Sequence, residues 1–426
     1  MTITNGTASS FHEAAADLVP QLRKRAVEAE RERRLPAETI ANLRDLGILR
    51  AFVPRVYGGD ERSMSEVLDA MTELGTGCAS TAWVASLLAI HNIAVCWLER
   101  QGQEDIFGAG PDVILSSSVA PTGTLDRTAG GFQIDGKWRF SSGVDHASWI
   151  MLGANLKVES APSEYFLCFV RASEVTLVDD WHVAGLRATG SQSLELKEIF
   201  VPNHRALLLR AVRDGTAAGL ALHPNPFYHL PWDSVFASAF PPAALGTAIA
   251  MLEGFREYSG SRASVFSGKG FRTNAGSAMR LAEAATQIDA ARLLFRRDLA
   301  ALDRLAREGG PSSSCMAQRI AYDVPFIIDA CSRAILRLFR GSGARAVHEC
   351  NPLQRYFRDI HVMTQHATMD MDRAGEAYGR TLLQNPTLAL GARDPVQGAE
   401  AETEYAATSL MPIAFLDNGG ERAAAI

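Results

Sequence analysis

The sequence predicts an α+β fold: an N-terminal helical domain, a central β-barrel or β-sandwich domain, and a C-terminal four-helix bundle. Two observations predict it. Apolar residues recur at the spacing of amphipathic helices over residues 11–105, and again from about residue 226 to 390. Between these regions, over residues 113–210, the pattern shortens to the two-residue alternation of β-strands.

These changes in period divide the chain into an N-terminal helical domain, a central β domain, a C-terminal helical bundle and a tail. In chain order they occupy residues 1–112, 113–215, 216–390 and 391–426. The tail is rich in Ala, Glu and Gly and has little periodicity, so we expect it to lie on the surface.

The composition is that of an ordinary globular protein. The 426 residues are 47% hydrophobic and 21% charged, which suits a large core in two or three modules. The net charge of −6 is spread along the chain, so neither nucleic acid nor a membrane is expected as a partner. The N-terminus lacks a basic start before an apolar run, and we expect a cytoplasmic protein. Six dispersed cysteines without a CxxC pair indicate neither disulfides nor a bound metal.

The N-terminal domain begins the series of predicted helices. Helical periodicity covers residues 37–46, 64–74 and 80–100. The last of these contains the apolar run 87–90, which predicts deep burial, and His91 follows it directly. A histidine there is either a hydrogen-bonded core residue or a functional imidazole.

The central domain is predicted to be mostly antiparallel. The dipeptide Asp135-Gly136 lies between two alternating stretches within residues 131–140, and such a dipeptide favours the turn of a tight hairpin. Pro202 ends the last predicted strand. The further strands cover residues 149–154, 165–170 and 194–201.

The C-terminal domain is predicted to be an up-down bundle of long helices. The helices cover residues 241–259, 277–307, 314–340 and 358–383. The last helix carries two histidines, His361 and His366. Each is either satisfied by neighbouring side chains or, because imidazole titrates near neutral pH, a general base.

Three motifs follow one another in a familiar order. Residues 53–59 read VPRVYGG, residues 185–191 read GLRATGS, and residues 341–359 run from Gly-Ser-Gly through Asn-Pro to Arg-Asp. With the helix, strand and helix layout, these motifs resemble the acyl-CoA dehydrogenase superfamily over about residues 35–370. The resemblance implies the fold of that superfamily.

One departure separates this chain from the dehydrogenases of that superfamily. Where they carry a catalytic Glu after the Arg-Asp pair, this chain has Ala367. Residues 138–147 (WRFSSGVDHA), residues 80–83 (STAW) and His91 instead resemble the oxygenase components of two-component flavin-dependent monooxygenases. That group is typified by 4-hydroxyphenylacetate hydroxylase and the steroid-degrading phenol hydroxylase.

The resemblance implies an oxygenase component that uses reduced flavin and O2, through a C4a-hydroperoxyflavin, to hydroxylate an aromatic substrate, phenolic or polycyclic. Such chemistry needs an acceptor for the flavin N5 hydrogen, for which Ser141 and Ser142 are the candidates. It also needs a base that ionises the phenol. We assign this role to His366, with His361 as the competing assignment, and expect His91 to orient the phenol oxygen.

Cofactor contacts are implied by the same resemblance. The flavin is reduced FMN or FADH2, bound as a diffusible cofactor, and no metal is expected. No Gly-rich nicotinamide loop is present, so a separate NAD(P)H:flavin reductase is implied, and the superfamily implies a homotetramer. The residues expected near the flavin are Ser116, Ser117, Ser118, Ser141, Ser142, Arg187, Thr189, Ser191 and, from a neighbouring subunit, Arg262.

Three alternatives stay open at this point. The fold also suits an N- or S-oxygenase, which changes only the acceptor atom. A dehydrogenase with a displaced base would need another carboxylate, such as Glu376 or Asp370. A flavin-free helical scaffold is the third reading.

Overall fold

The computed structural model describes residues 10–158, 163–260, 274–310 and 312–384. The predicted tail at 391–426 and the predicted flavin contact Arg262 lie outside the described residues. The helices before the sheet are α1 (Phe11–Glu32), α2 (Ala37–Asp45), α3 (Met64–Gly77), α4 (Ala79–Val95) and α5 (Arg100–Phe107).

Helix α4 is buried along its whole length, as its apolar run predicts. It packs against α3, against the later helix Pro241–Gly260 and against the first strand of the sheet. Because no face of α4 meets solvent, every polar side chain on it needs an internal partner. The few polar side chains of α4, with the groups they bond to, are therefore candidates for a functional site.

All described strands form one seven-stranded mixed sheet, which confirms the predicted central β domain. The order across the sheet is β5-β6-β2-β1-β3-β4-β7. Neighbours are antiparallel except β1 and β3, which run parallel. The strands are β1 (Leu115–Thr128), β2 (Gly131–Ser141), β3 (Trp149–Leu156), β4 (Glu164–Arg171), β5 (Thr176–Val178), β6 (Gln192–Pro202) and β7 (Ala206–Leu208).

The hairpin turn predicted at Asp135-Gly136 is wrong. β2 runs straight through this dipeptide, and the chain reverses instead at Gly130, whose φ is +80°. Gly136 is required for a different reason: a Cβ there would lie 2.8 Å from the Gly123 Cα and from the Trp138 ring. The dipeptide therefore marks an irregularity in the pairing with β6 rather than a turn.

The helices after the sheet include the predicted long ones. They are α6 (Leu209–Arg213), α7 (Trp232–Ala237), α8 (Pro241–Gly260), α9 (Ala275–Glu308), α10 (Ser314–Ser342), α11 (Pro352–Met363) and α12 (Met371–Gln384). The single helix predicted over residues 358–383 is wrong, because the chain breaks between α11 and α12. A short 3-10 turn, Ala367–Met369, fills the break, and the His366 side chain caps it by accepting the Thr368 N–H.

Within the part of the chain that the structure describes, Trp232–Gly260 is long and apolar enough to cross a membrane by composition alone. Its most apolar window has a mean hydropathy of 1.6, and 83% of that window is buried inside the protein. The segment contains α7 and α8, and α8 packs on α3, α10 and α11. It therefore fits the core of the bundle.

Candidate active site

His91 lies inside the protein, on α4, with both ring nitrogens hydrogen bonded. Nδ1 is 2.8 Å from the Leu115 carbonyl oxygen, and Nε2 is 2.9 Å from Ser117 Oγ. A carbonyl only accepts, so Nδ1 carries the hydrogen and Nε2 accepts the Ser117 hydroxyl. Burial lowers the pKa of His91 to about 4, which keeps the imidazole neutral at neutral pH. His91 is thus a proton acceptor reached through Ser117.

His366 lies in the break between α11 and α12. Its ring hydrogen is on the other nitrogen from that of His91. Its Nδ1 accepts the Thr368 N–H at 3.2 Å, so the neutral ring carries its hydrogen on Nε2. Burial lowers the pKa of His366 to about 4. The ring packs on Phe240 at 4.4 Å between centroids and on Trp83 at 5.8 Å. In this tautomer His366 presents an N–H donor at Nε2.

A row of aromatic rings connects the two histidines. From His366 the row passes through Phe240 to Phe236, whose ring centroids lie 5.5 Å apart, and Phe236 stacks on His91 at 6.1 Å. Trp83 packs on Phe240 at 5.0 Å, beside its contact with His366. The two imidazoles therefore lie at opposite ends of an aromatic wall, and each faces its own part of the site.

Sequence reasoning did not select the aromatic residues as site residues. A usable signal was present, because Trp232, Phe236 and Phe240 recur at a spacing of four. Trp83 and His91 are eight residues apart on α4, which also places them near one face of the helix. Both signals are equally typical of an ordinary core.

A chain of hydroxyl groups ends at Ser142, and its hydrogen-bond directions follow from its far end. Thr189 Oγ1 donates to the Leu186 carbonyl at 2.9 Å, so it accepts from Ser191, whose Oγ is 2.7 Å away. Ser191 in turn accepts the Ser142 hydroxyl at 2.8 Å. Trp83 Nε1–H donates to Ser142 Oγ at 3.2 Å. Ser142 therefore keeps one lone pair for a further donor.

The remaining predicted serines point elsewhere. Ser116 donates to the Ser142 carbonyl at 2.8 Å, so its 2.7 Å contact with Ser141 is a bond donated by the Ser141 hydroxyl. Ser118 donates to the Arg139 carbonyl across the sheet at 2.7 Å. These hydroxyls join β1 to β2. Of the two candidate N5 acceptors, the geometry favours Ser142.

Arg187 fits a group that the protein itself does not supply. Its Nε is buried and has no hydrogen-bond partner among the described residues. Arg187 begins the 3-10 turn Arg187–Thr189, which leads into the hydroxyl chain. A reduced isoalloxazine ring offers the matching chemistry to both groups, with carbonyl oxygens for the Arg187 donor and an N–H for Ser142.

His361 is not brought to this cluster. Its Nδ1 is 2.6 Å from the Phe357 carbonyl one helical turn back, and its ring packs on the Phe357 ring at 4.3 Å. The Phe357 ring in turn stacks on the Phe339 ring of α10. These contacts direct His361 toward the bundle rather than toward Trp83.

The two carboxylates considered as displaced dehydrogenase bases also lie apart from the cluster. Asp370 accepts the backbone N–H of Arg373 at the start of α12. Glu376 is exposed and pairs with Arg380 one turn further on. Neither carboxylate contacts the aromatic wall or the hydroxyl chain in the described structure.

Family models match both helical regions of the chain. Residues 7–106 match the acyl-CoA dehydrogenase N-terminal domain, and residues 238–371 match the acyl-CoA dehydrogenase C-terminal domain. The predicted fold is therefore confirmed. The sheet that carries Ser116–Ser118 and Ser142 lies between the two matched regions.

Individual relatives match nearly the whole chain. The oxygenase subunit HsaA of a flavin-dependent monooxygenase from Mycobacterium tuberculosis is 33% identical over 89% of this chain and 96% of its own length. The oxygenase component of p-hydroxyphenylacetate 3-hydroxylase from Acinetobacter baumannii is 32% identical over 88% of this chain and 89% of its own. XiaF from Streptomyces, solved with FADH2 and glycerol, superposes with a TM-score of 0.81 at 27% identity, covering 92% of this chain and 97% of its own.

Proposed function

The chain belongs to the oxygenase components of flavin-dependent monooxygenases in the acyl-CoA dehydrogenase superfamily, and from this premise we propose that it hydroxylates a phenolic substrate with reduced flavin and O2. The relatives support the reaction class, since p-hydroxyphenylacetate 3-hydroxylase acts on a phenol by its name. The observation that carries the proposal is the directed hydroxyl chain, which leaves Ser142 as an acceptor. An acceptor at this point suits a bound reduced flavin.

Bound reduced flavin supplies the electrons and the ring carbon at which O2 is activated. The chain's own residues hold and shield it. With flavin bound, Ser142 would accept the N5 hydrogen, and Trp83, which is hydrogen bonded to Ser142, would with the aromatic wall exclude water that otherwise releases H2O2. Arg187, whose buried Nε has no hydrogen-bond partner among the described residues, would supply a donor for a flavin oxygen. The flavin is FADH2 or reduced FMN, and the FADH2 bound in XiaF supports the former.

We assign the base to His91, acting through Ser117, in place of His366. The phenol O–H proton moves to Ser117 Oγ as the Ser117 hydroxyl proton moves to His91 Nε2. The Leu115 carbonyl already holds Nδ1–H and stabilises the imidazolium that forms. His366, with hydrogen on Nε2 and Nδ1 occupied by the Thr368 N–H, serves as a donor at the opposite end of the wall.

The proton acceptor also separates phenol hydroxylation from the alternatives. Oxidation of a sulfur or amine nitrogen uses a lone pair and needs no base to ionise the substrate. A buried Ser117–His91 pair, in which His91 Nε2 accepts the Ser117 hydroxyl, suits a substrate that loses a proton. The geometry thus favours a phenol over N- or S-oxygenation.

We expect the purified protein to be nearly colourless and to leave NADH unoxidised, because its sequence carries no Gly-rich nicotinamide-binding loop after a strand. An unrelated NAD(P)H:flavin reductase with free flavin should start hydroxylation of a phenol. The measurement is NADH consumption and product formed with and without the reductase. NADH oxidation by this chain alone would contradict the two-component assignment.

We also propose a cytoplasmic protein and, on the resemblance to the superfamily, a homotetramer. The long helices α9 and α10 pack on each other, and α9 leaves Met279 and Leu293 exposed, which suits burial between subunits. Sedimentation should give four times the chain mass of 46.0 kDa. A monomer that binds reduced flavin at full affinity would contradict this proposal.

A further inference from the structure

The backbone that starts the hydroxyl chain is held from outside the sheet by α11. The Leu186 N–H donates to Asp359 Oδ1 at 2.7 Å, while Arg358 donates from Nη1 to the Ala184 carbonyl at 2.7 Å. Between them, Gly185 lies so close to α11 that a Cβ would be 2.3 Å from the Arg358 carbonyl oxygen. Three consecutive residues of the loop are therefore fixed by two consecutive residues of the helix.

Leu186 needs such a restraint. Its φ is +51°, a left-handed conformation that a leucine adopts at a cost of roughly 1 kcal/mol or more. In this conformation its carbonyl receives three donors, namely Thr189 Oγ1, the Thr189 N–H and Trp181 Nε1. The orientation of this carbonyl sets the direction of every hydroxyl between Thr189 and Ser142.

We propose that Asp359 is a positioning residue of the oxygenation reaction, which holds Leu186 so that the hydroxyl chain presents Ser142 as an acceptor. The inference rests on the proposed function. Asp359 is only 4% exposed and accepts the Leu186 N–H, so it acts on the site through Leu186. Burial raises the pKa of Asp359 to about 6, and both protonation forms keep an acceptor oxygen for the Leu186 N–H.

Asp359 also links the two ends of the site. α11 ends at Met363, and His366 follows three residues later, so the helix that holds the flavin-facing loop also leads into the turn of the donor histidine. Trp83 contacts both sides, through Ser142 and through the His366 ring. A shift of α11 against Leu186 would change the spacing between the acceptor serine and the donor histidine.

The test compares Asp359→Ala with Asp303→Ala. Asp303 is a matched control, because it is also buried and accepts the backbone N–H groups of Met64 and Ser65 from another helix, away from the site. We expect Asp359→Ala to raise the H2O2 released per flavin oxidised by on the order of tenfold, since small misplacements at a reacting centre have effects of that size or larger. Asp303→Ala should leave this ratio unchanged.

A second measurement needs no flavin. Amide hydrogen exchange of residues 184–191 in the free protein should accelerate in Asp359→Ala and stay as in the wild type in Asp303→Ala. Asp359→Asn keeps an acceptor oxygen and should restore both the exchange rate and the H2O2 ratio. Where Asp359→Ala fails to fold, Asp359→Glu keeps the charge but displaces the oxygen, and it should release more H2O2.

The outcomes separate this inference from the proposed function. Equal H2O2 ratios in Asp359→Ala and Asp303→Ala, or wild-type coupling in Asp359→Glu, would overturn the role of Asp359. If Ser142→Ala, measured alongside, releases excess H2O2 while the Asp359 variants do not, only the positioning role fails. If Ser142→Ala also leaves the ratio unchanged, the acceptor role in the proposed function fails.

Discussion

Ser142→Ala should divert most of the reducing equivalents to H2O2. The variant removes the acceptor at the end of the hydroxyl chain while leaving Ser191 and Thr189 bonded to each other. Loss of one such hydrogen bond is worth about 1–3 kcal/mol, or about one to two decades in rate. The return of the oxidised-flavin absorbance after mixing with O2 should be faster by that factor, and the hydroxylated product per flavin should fall accordingly.

Two variants make this result specific. Thr247→Ala removes a buried hydroxyl that donates to the Ala243 carbonyl of its own helix, and it should keep wild-type coupling. Ser141→Ala tests the neighbouring serine, whose hydroxyl is committed to Ser116. If Ser141→Ala uncouples the enzyme and Ser142→Ala does not, the N5 acceptor lies one residue earlier than the geometry indicates.

His91→Gln should slow hydroxylation by about two decades or more, the usual contribution of a general base. Ser117→Ala should slow it as well, because the proton reaches His91 through this hydroxyl. Flavin reoxidation without substrate should keep its wild-type rate in both variants. The measurement is product formation in a rapid-quench experiment with flavin reduced beforehand.

The pH profile of kcat/KM should show the lowered pKa of His91. Burial lowers the pKa from 6.5 to about 4, so the neutral, proton-accepting form persists below pH 6 and the acidic limb should lie near pH 4. His91→Gln should lose this limb. A phenol that is already ionised at the assay pH should need no base, and the ratio of wild-type to variant rates should approach one for it.

His366→Gln is the matching control for the base. Glutamine keeps an N–H donor at the end of the wall, so the acidic limb should persist in this variant. If His366→Gln instead abolishes the limb and His91→Gln retains it, the base is His366, as the sequence first indicated. The two variants therefore decide between the assignments in one pair of profiles.

The sequence predicted the architecture well because long periodic segments determine it. The third strand, predicted over residues 149–154, is observed as Trp149–Leu156, and the strand predicted to end at Pro202 does so. The turn prediction at Asp135-Gly136 failed because the dipeptide alone does not distinguish a turn from a position where other groups pack closely against the glycine backbone. The deciding contacts come from Gly123 and Trp138, which local propensity does not include.

The roles of the histidines could not be predicted from the sequence for a similar reason. Family resemblance selected His91 and His366, but the tautomer of each depends on which backbone group its ring meets in the fold. For His91 that group is the Leu115 carbonyl, 24 residues away, and for His366 it is the Thr368 N–H exposed by the break in the helix. Because the sequence predicted a continuous helix there, it provided no free N–H for His366 to accept.

The residue at the far end of the hydroxyl chain determines whether the chain can carry protons to Ser142. Its last acceptor, the Leu186 carbonyl, has no proton to give and cannot pass one on. Protons therefore cannot hop from this side toward Ser142, as they would along a file of water molecules. The hydroxyl chain therefore orients the hydrogen bonds around Ser142 but does not deliver protons to the site.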